Sequence, residues 1–393
     1  MTIRVRMKLS VPHIDKKDID TINKTLKSQY VSTSSKNIKI FENKISNFCG
    51  TRFAVALNSG TSALHLALRI LGVDKNSEVI VPSLTFVATV NPILYLGAKP
   101  IILDVDENHN IKIDDVINFI KSKTVLKGKK SLNKKTKKTL KVLIVAHMWG
   151  RACNFSKLKK ICKERNIYIL EDAAEALGSF VITKKYEHCG SIGDIGCLSF
   201  NGNKIITTGS GGAIITNNKK FYAKAQYLSK QAKDDEYNYI HNQCGYNYKM
   251  NGISAALGIS QFKKLKKKIL RRKKIYQRYL NNFKNERDIK LLKFPKNTKM
   301  NYWMNIVSFK KLNFKQTQLI SKYLAQKKIE TRRVWRPLNL QKYLRNCQKY
   351  NVLNSNRFYS NSICIPSDDD IALNEVDKIS GYIKRYYEIV ANN

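Results

Sequence analysis

Short, nearly charge-free runs of β-branched and aliphatic residues recur along the first half of this chain: FAVALN (53–58), EVIVPS (78–83), PIILDV (100–105), VLIVAH (142–147), IYILED (167–172), IGCLSF (195–200) and GGAIIT (211–216). They lack the polar alternation of a strand with one wet face, so each is expected to be buried on both faces. Between them lie segments of helical period, at about 62–71, 88–96 and 156–165. Strand and helix in alternation predict an α/β chain with a mostly parallel sheet covered on both sides, and place ligands at the carboxyl ends of the strands.

Around this framework, residues 15–47 read as helical with a break near YVSTSS, the second helix running from about Asn37 to Cys49. After Asn217 the pattern changes: a helix at 219–233, the polar and aromatic stretch HNQCGYNYKMNG, one long helix over 251–283, then helices at 315–327 and 374–391. The 393 residues are expected to form a large domain over 1–250 and a smaller α+β domain over 251–393.

With 72 basic and 29 acidic residues the formal charge is +43. The lysines are spread along nearly the whole chain, which argues against a localised nucleic-acid footprint and for attraction of small anionic substrates. The basic run LKGKKSLNKKTKKTLK (126–141) is expected to be a solvated loop. Eight cysteines show no CxxC pair, so reduced thiols and a cytoplasmic protein are expected. MTIRVRMKLSVPH lacks an apolar leader. The uncharged stretch 79–98 contains two prolines and Asn91, and reads as buried α/β core rather than a membrane span.

Three features converge at the expected strand ends. SGTSAL (59–64) turns from strand to helix, where Gly60 permits a tight turn and Thr61 and Ser62 add hydroxyls to backbone N–H groups: a phosphate cradle, or an ordinary glycine-serine turn. Asp172 ends IYILED and could be a helix cap, a metal ligand or the partner of a protonated ring nitrogen. The six histidines have no ligand spacing, so no metal is expected. Lys204 follows a later strand in SFNGNKIITTGSGG. In this order, cradle, carboxylate and lysine are the parts needed to hold a phosphorylated pyridine aldehyde.

SGTSALHLAL, VIVPSLTFVATVN, EDAAEALGS, GDIGCLSFNGNKIITTGSGG and GYNYKM occur in the order of the motifs of the DegT/DnrJ/EryC1 sugar aminotransferases, which the chain resembles over essentially its full length. The resemblance implies a fold type I enzyme with a mixed, mostly parallel seven-stranded sheet, dependent on pyridoxal 5′-phosphate, with pyridoxamine 5′-phosphate as the intermediate form. It implies that Lys204 is the Schiff-base lysine, that Asp172 faces the pyridine nitrogen, and that Phe86, otherwise readable as a core aromatic, stacks on the ring. It assigns Gly60, Thr61, Ser62, Ser199 and Asn201 to the cofactor cradle and Glu175 to the ring hydroxyl, where many relatives carry Gln. Asn247 would reach the cofactor phosphate of a neighbouring subunit, making a homodimer with shared sites. His241, Tyr248 and Arg332 are candidates for the substrate, while Arg333 and Arg336 are read as surface charges. Lys249 stands where relatives commonly have Arg, and ETRR (330–333) where they have ETRP.

The implied reaction is transfer of the amino group of L-glutamate to C4 of a nucleotide-diphosphate-linked 4-keto-6-deoxyhexose. CLSFNGNKIITTG, QAKDDEYNYIHNQCGYNYKMNG and IETRRVWRPLN resemble the branch acting on UDP-N-acetyl sugars for legionaminic acid or bacillosamine, with GDP-perosamine synthases as the alternative. Sugar dehydratases of the family typically replace the lysine by histidine, and Lys204 speaks against them. Against a degenerate cofactor-binding structural or regulatory protein stands the complete set of lysine, aspartate and cradle.

Overall fold

The computed structural model describes residues 7–391. Residues 1–6, part of the stretch read as lacking an apolar leader, lie outside them. The seven apolar runs form strands β1 (Phe53–Leu57), β2 (Ser77–Pro82), β3 (Lys99–Leu103), β4 (Thr139–Ala146), β5 (Tyr168–Asp172), β6 (Ile195–Ser199) and β7 (Gly212–Thr216). Across the sheet their order is β1-β7-β6-β5-β4-β2-β3. Only β7 runs against its neighbours: it pairs antiparallel with β1 and β6, and the pairs β6–β5, β5–β4, β4–β2 and β2–β3 are parallel. This is the expected mixed sheet of the fold type I enzymes. Nearly every residue of β2, β5, β6 and β7 is buried, as the missing alternation requires.

Two additions enlarge the sheet to ten strands. Gln348–Tyr350, a strand absent from the sequence reading, pairs in parallel with β3. The basic run expected to be a loop is instead a hairpin, Thr124–Lys127 paired with Lys130–Asn133, leading into β4 through Leu132 and Thr139. Gly128, at φ 56°, supplies the left-handed turn, and buried Thr124, Ser131 and Asn133 tie the hairpin down.

Helix boundaries show three further corrections. The 251–283 helix is two, Gly252–Phe262 and Leu265–Phe283, because Lys263 N–H bonds back to Ser260 in a tightened last turn and Lys264 turns its amine to Asp15 and Asp18. The 88–96 helix is a 3-10 turn, Val87–Thr89, and a single turn at Asn91–Tyr95, since Pro92 has no N–H to continue the ladder. The 219–233 helix stops at Ser229, before Gln231 and Ala232 take positive φ. Helix Ile113–Lys123 precedes the hairpin.

Toward the C-terminus a four-stranded antiparallel sheet forms from Ile289–Leu291, Asn305–Phe309, Ser362–Ile365 and Arg332–Arg333. Helices Phe314–Gln326 and Leu373–Ala391 share its apolar core, which includes Val307, Ile320, Ile363 and Ile379.

Candidate active site

The carboxyl ends of β1, β2, β4, β5 and β6 and the start of β7 surround one cavity of about 440 Å³. Of the residues singled out from sequence, Gly60, Thr61, Phe86, Asp172, Glu175, Ser199, Asn201, Lys204 and Arg332 line it. Ser62 instead faces an adjoining cavity that shares Ser59 and Ser210 with the first.

The turn after β1 is built by a cap and two close approaches. Ser59 is the N-cap of helix Gly60–Ile70, its hydroxyl accepting from Ser62 N–H at 3.0 Å. A Cβ on Gly60 would lie 2.9 Å from Ser199 Cβ, and one on Gly212 only 2.3 Å from the Ser59 carbonyl. Both glycines are therefore needed for β6 and β7 to press against this helix end, whose free N–H groups open toward the cavity.

Asp172 closes β5 with both carboxylate oxygens occupied. Thr89 donates its hydroxyl to Oδ2 at 2.6 Å, and Ala174 N–H donates to Oδ1 at 3.2 Å. Thr85 and Thr89 are themselves joined at 2.6 Å. Next to it His147, buried, takes Cys153 N–H on Nδ1 at 3.0 Å, so Nε2 carries the hydrogen and donates to Glu171 at 2.8 Å.

Lys204 sits on the connection from β6 to β7, pinned where Phe200 N–H bonds Gly211 and Thr208 N–H bonds Phe200. Its Nζ is 3.4 Å from Glu175 Oε1 and 4.2 Å from the centroid of the Trp303 ring. Burial pushes the Glu175 carboxyl above the usual carboxylate range, against the opposing pull of Lys204. Glu175 Oε2 accepts Trp149 N–H at 2.7 Å. Trp149 adopts φ 60°, a left-handed conformation costly for a bulky residue, and it is that backbone turn which aims its N–H at the carboxyl. Asn301 completes the support, donating to the backbone oxygens of Glu175 and Leu177.

Phe86 is half exposed, which removes its alternative reading as a core aromatic. Its ring leans on Trp335 at 5.1 Å, and Trp335 stacks on Trp149 at 5.2 Å. Arg332 stands at the rim, paired with Glu330 at 2.9 Å and with more than half of its side chain in solvent. Arg333 lies over Phe314 and donates to backbone carbonyls, and Arg336 donates to Leu340, so neither faces the cavity.

Asn247, His241 and Tyr248 lie outside the cavity of this chain. Asn247 lines a separate hollow with Lys230 and Gln231, exposed His241 bonds the Gln231 carbonyl, and Tyr248 shares a 2.9 Å hydrogen bond with His65. Lys249, the Lys where relatives commonly have Arg, is buried and spends its charge on Glu42 at 2.6 Å. Thr85, Thr89, His147, Asn203, Trp303 and Trp335 were missed from sequence. Thr89 stood inside the recognised segment VIVPSLTFVATVN and Trp335 inside IETRRVWRPLN, whereas nothing in the sequence around 303 signals a site.

Among the described residues one cluster, His13 with Asp368 and Asp370, has metal-ligand composition. Each ring nitrogen already meets a carboxylate, at 2.6 Å in both cases, so a hydrogen-bonded imidazolium accounts for the arrangement.

Residues 12–384 match the model of the DegT/DnrJ/EryC1/StrS aminotransferase family. A GDP-perosamine synthase of Escherichia coli O157:H7 is 32% identical over 378 residues, 96% of this chain and 97% of the relative. A UDP-4-amino-4,6-dideoxy-N-acetyl-beta-L-altrosamine transaminase of Campylobacter jejuni is 33% identical over 69% of this chain and 68% of its own length. Spr1654 of Streptococcus pneumoniae in its PMP form superposes with a TM-score of 0.88 at 26% identity, covering 98% of this chain and all of the other, and its PLP form gives 0.87. The chain thus belongs to the DegT/DnrJ/EryC1/StrS aminotransferase family and is a sugar aminotransferase dependent on pyridoxal 5′-phosphate.

Proposed function

We propose that this enzyme moves the amino group of L-glutamate to C4 of a nucleotide-linked 4-keto-6-deoxyhexose, acting as a homodimer. The observation that carries the reading is the convergence of Lys204, Asp172, the Gly60 turn and the half-exposed Phe86 on one cavity with Arg332 at its mouth.

These residues fit the cofactor in shape and charge. The free N–H groups after Ser59, with Thr61 and Ser199, suit a phosphate. Phe86 offers a ring face, and Asp172, fixed by Thr89, suits a protonated pyridine nitrogen. When bound, pyridoxal phosphate supplies the electron sink that lets a C–H bond beside nitrogen ionise. Asp172 keeps the proton at the ring nitrogen. Lys204 carries a proton away from the glutamate α-carbon and delivers one to sugar C4, Glu175 and Trp303 holding its amine between those tasks. Arg332 suits the anionic part of the substrates. Asn247, His241 and Tyr248, away from this cavity, are assigned to the site of a second copy.

Relatives that match over the whole chain favour a GDP-linked 4-keto-6-deoxymannose. The segments 230–250 and 330–339 favour a UDP-N-acetyl sugar instead. A glutamate-dependent assay offering both, read by product mass and NMR, decides between them. Turnover of neither, or substantial turnover by Lys204→Ala, overturns the proposal.

A further inference from the structure

The hairpin Thr124–Lys127/Lys130–Asn133 has no part in the site. It joins the amino end of β4 through Leu132 and Thr139, while the other end of that eight-residue strand meets the cavity at Ala146, roughly 25 Å away. Residues 121–141 hold ten lysines and no acidic, arginine or aromatic residue. Among the described residues none of these lysines pairs with a carboxylate; Lys134 and Lys138 donate only to the backbone carbonyls of Ser122 and Lys75. Contrast the other basic run, 263–274, where Lys264 meets Asp15 and Asp18 and Arg272 meets Asp369. That run spends charge on the fold, and the hairpin leaves its charge in water. Strand Thr124–Lys127 is paired on one side only, and within it Val125 and Leu126 are 37% and 41% exposed amid the lysines.

We propose that this hairpin is a docking surface for an anionic phospholipid bilayer, a role beyond transamination and independent of the sugar acted on. Unpaired lysines complement a headgroup layer, each strengthening binding about fivefold. Val125 and Leu126 project to opposite faces of the strand, so whichever face meets the bilayer adds one exposed apolar side chain to the lysines. Nucleic acid is the poorer occupant, because the hairpin has no aromatic ring to stack on a base and no guanidinium fork to read one. No helix of the described residues is long and apolar enough to cross a membrane, so contact is at the surface.

The test is co-sedimentation of the holoenzyme with vesicles of phosphatidylcholine alone or with 30 mol% phosphatidylglycerol (about one anionic headgroup in three), at low and high salt. The variant K127S/K129S/K130S/K134S/K135S is compared with K157S/K159S/K160S/K163S/K219S, which removes the same charge from exposed helical positions. Salt-sensitive binding to anionic vesicles, weakened at least about 100-fold in the hairpin variant and much less in the control, with transamination intact in both, supports the proposal. It is overturned by equal weakening in the two variants, by hairpin-independent binding, by absence of binding, or by preference for single-stranded RNA over vesicles.

Discussion

The ammonium of Lys204 lies 4.2 Å from the centroid of Trp303, a residue almost one hundred positions later in the chain, and Trp303 Nε1–H donates to the carbonyl of Asn203 at 2.8 Å. One indole thus holds both the charge of the lysine and the backbone that carries it. A cation over an aromatic face in a desolvated site gains about 1 to 2 kcal/mol. Trp303→Leu is expected to lower kcat about tenfold, with Trp303→Phe losing less because a ring face remains. Steady-state kinetics beside thermal melting separates this from the stability cost of emptying a buried indole site, about 3 to 5 kcal/mol for a full truncation. Equal kcat in the Leu and Phe variants would count against a role for the ring.

Thr89 is the hinge of the Asp172 carboxylate. Thr89→Val removes a 2.6 Å bond to Oδ2 while keeping the shape. A hydrogen bond to a charged group contributes about 1.5 to 3 kcal/mol, so kcat/KM is expected to fall at least about tenfold. Unchanged kcat/KM would mean that Ala174 N–H orients the carboxylate unaided.

Gly60→Ala would force a Cβ to within 2.9 Å of Ser199 Cβ. The helix end must then back away from β6, and cofactor affinity, measured by equilibrium dialysis of the reconstituted protein, is expected to drop about tenfold or more. Full affinity in this variant would place the phosphate elsewhere.

His13 ties the start of the chain to the segment before the last helix. Its hydrogen bond to Asp368, outweighing burial and aided by the charges of Asp368, Asp369 and Asp370, raises its pKa from the ordinary 6.5. The folded state therefore holds the proton more tightly than the unfolded one. The stabilisation is complete below pH 6.5 and is lost as pH rises through the folded-state value. His13→Gln is expected to lower the melting temperature at pH 6 and to have a much smaller effect at pH 9. A pH-independent loss would assign His13 a packing role only.

Much of the site was legible because strand ends announce themselves: the apolar runs before Gly60, Asp172 and Lys204 fix which sheet edge they share, and the motifs fix their order. What carried no signal was contact across long separations. Trp303 reaches Lys204, and Trp335 the cavity wall, from beyond the large sheet, and no local pattern shows an indole turned toward a lysine. The hairpin after Lys123 misled for the opposite reason. Its lysines suggested water on all sides, yet Ser131 and Asn133 are fully buried, and Asn133 bonds Glu78 and Gln348. Lys249 shows the limit of reading a charge from type: Glu42, inside the fold, takes it, and nothing in the local sequence names that partner.

The carbonyl of Asn203 is bonded from both directions of the chain, by Ser10 near the start and by Trp303 far downstream. A ribosome must therefore release most of the polypeptide before the lysine's final support exists. Strands and cradle can assemble earlier, as domains do during synthesis. Completion of the loop that carries Lys204 thereby reports that translation has passed Trp303, and a chain cut short before it would lack both that indole and the edge strand Gln348–Tyr350, leaving the Lys204 amine poorly held.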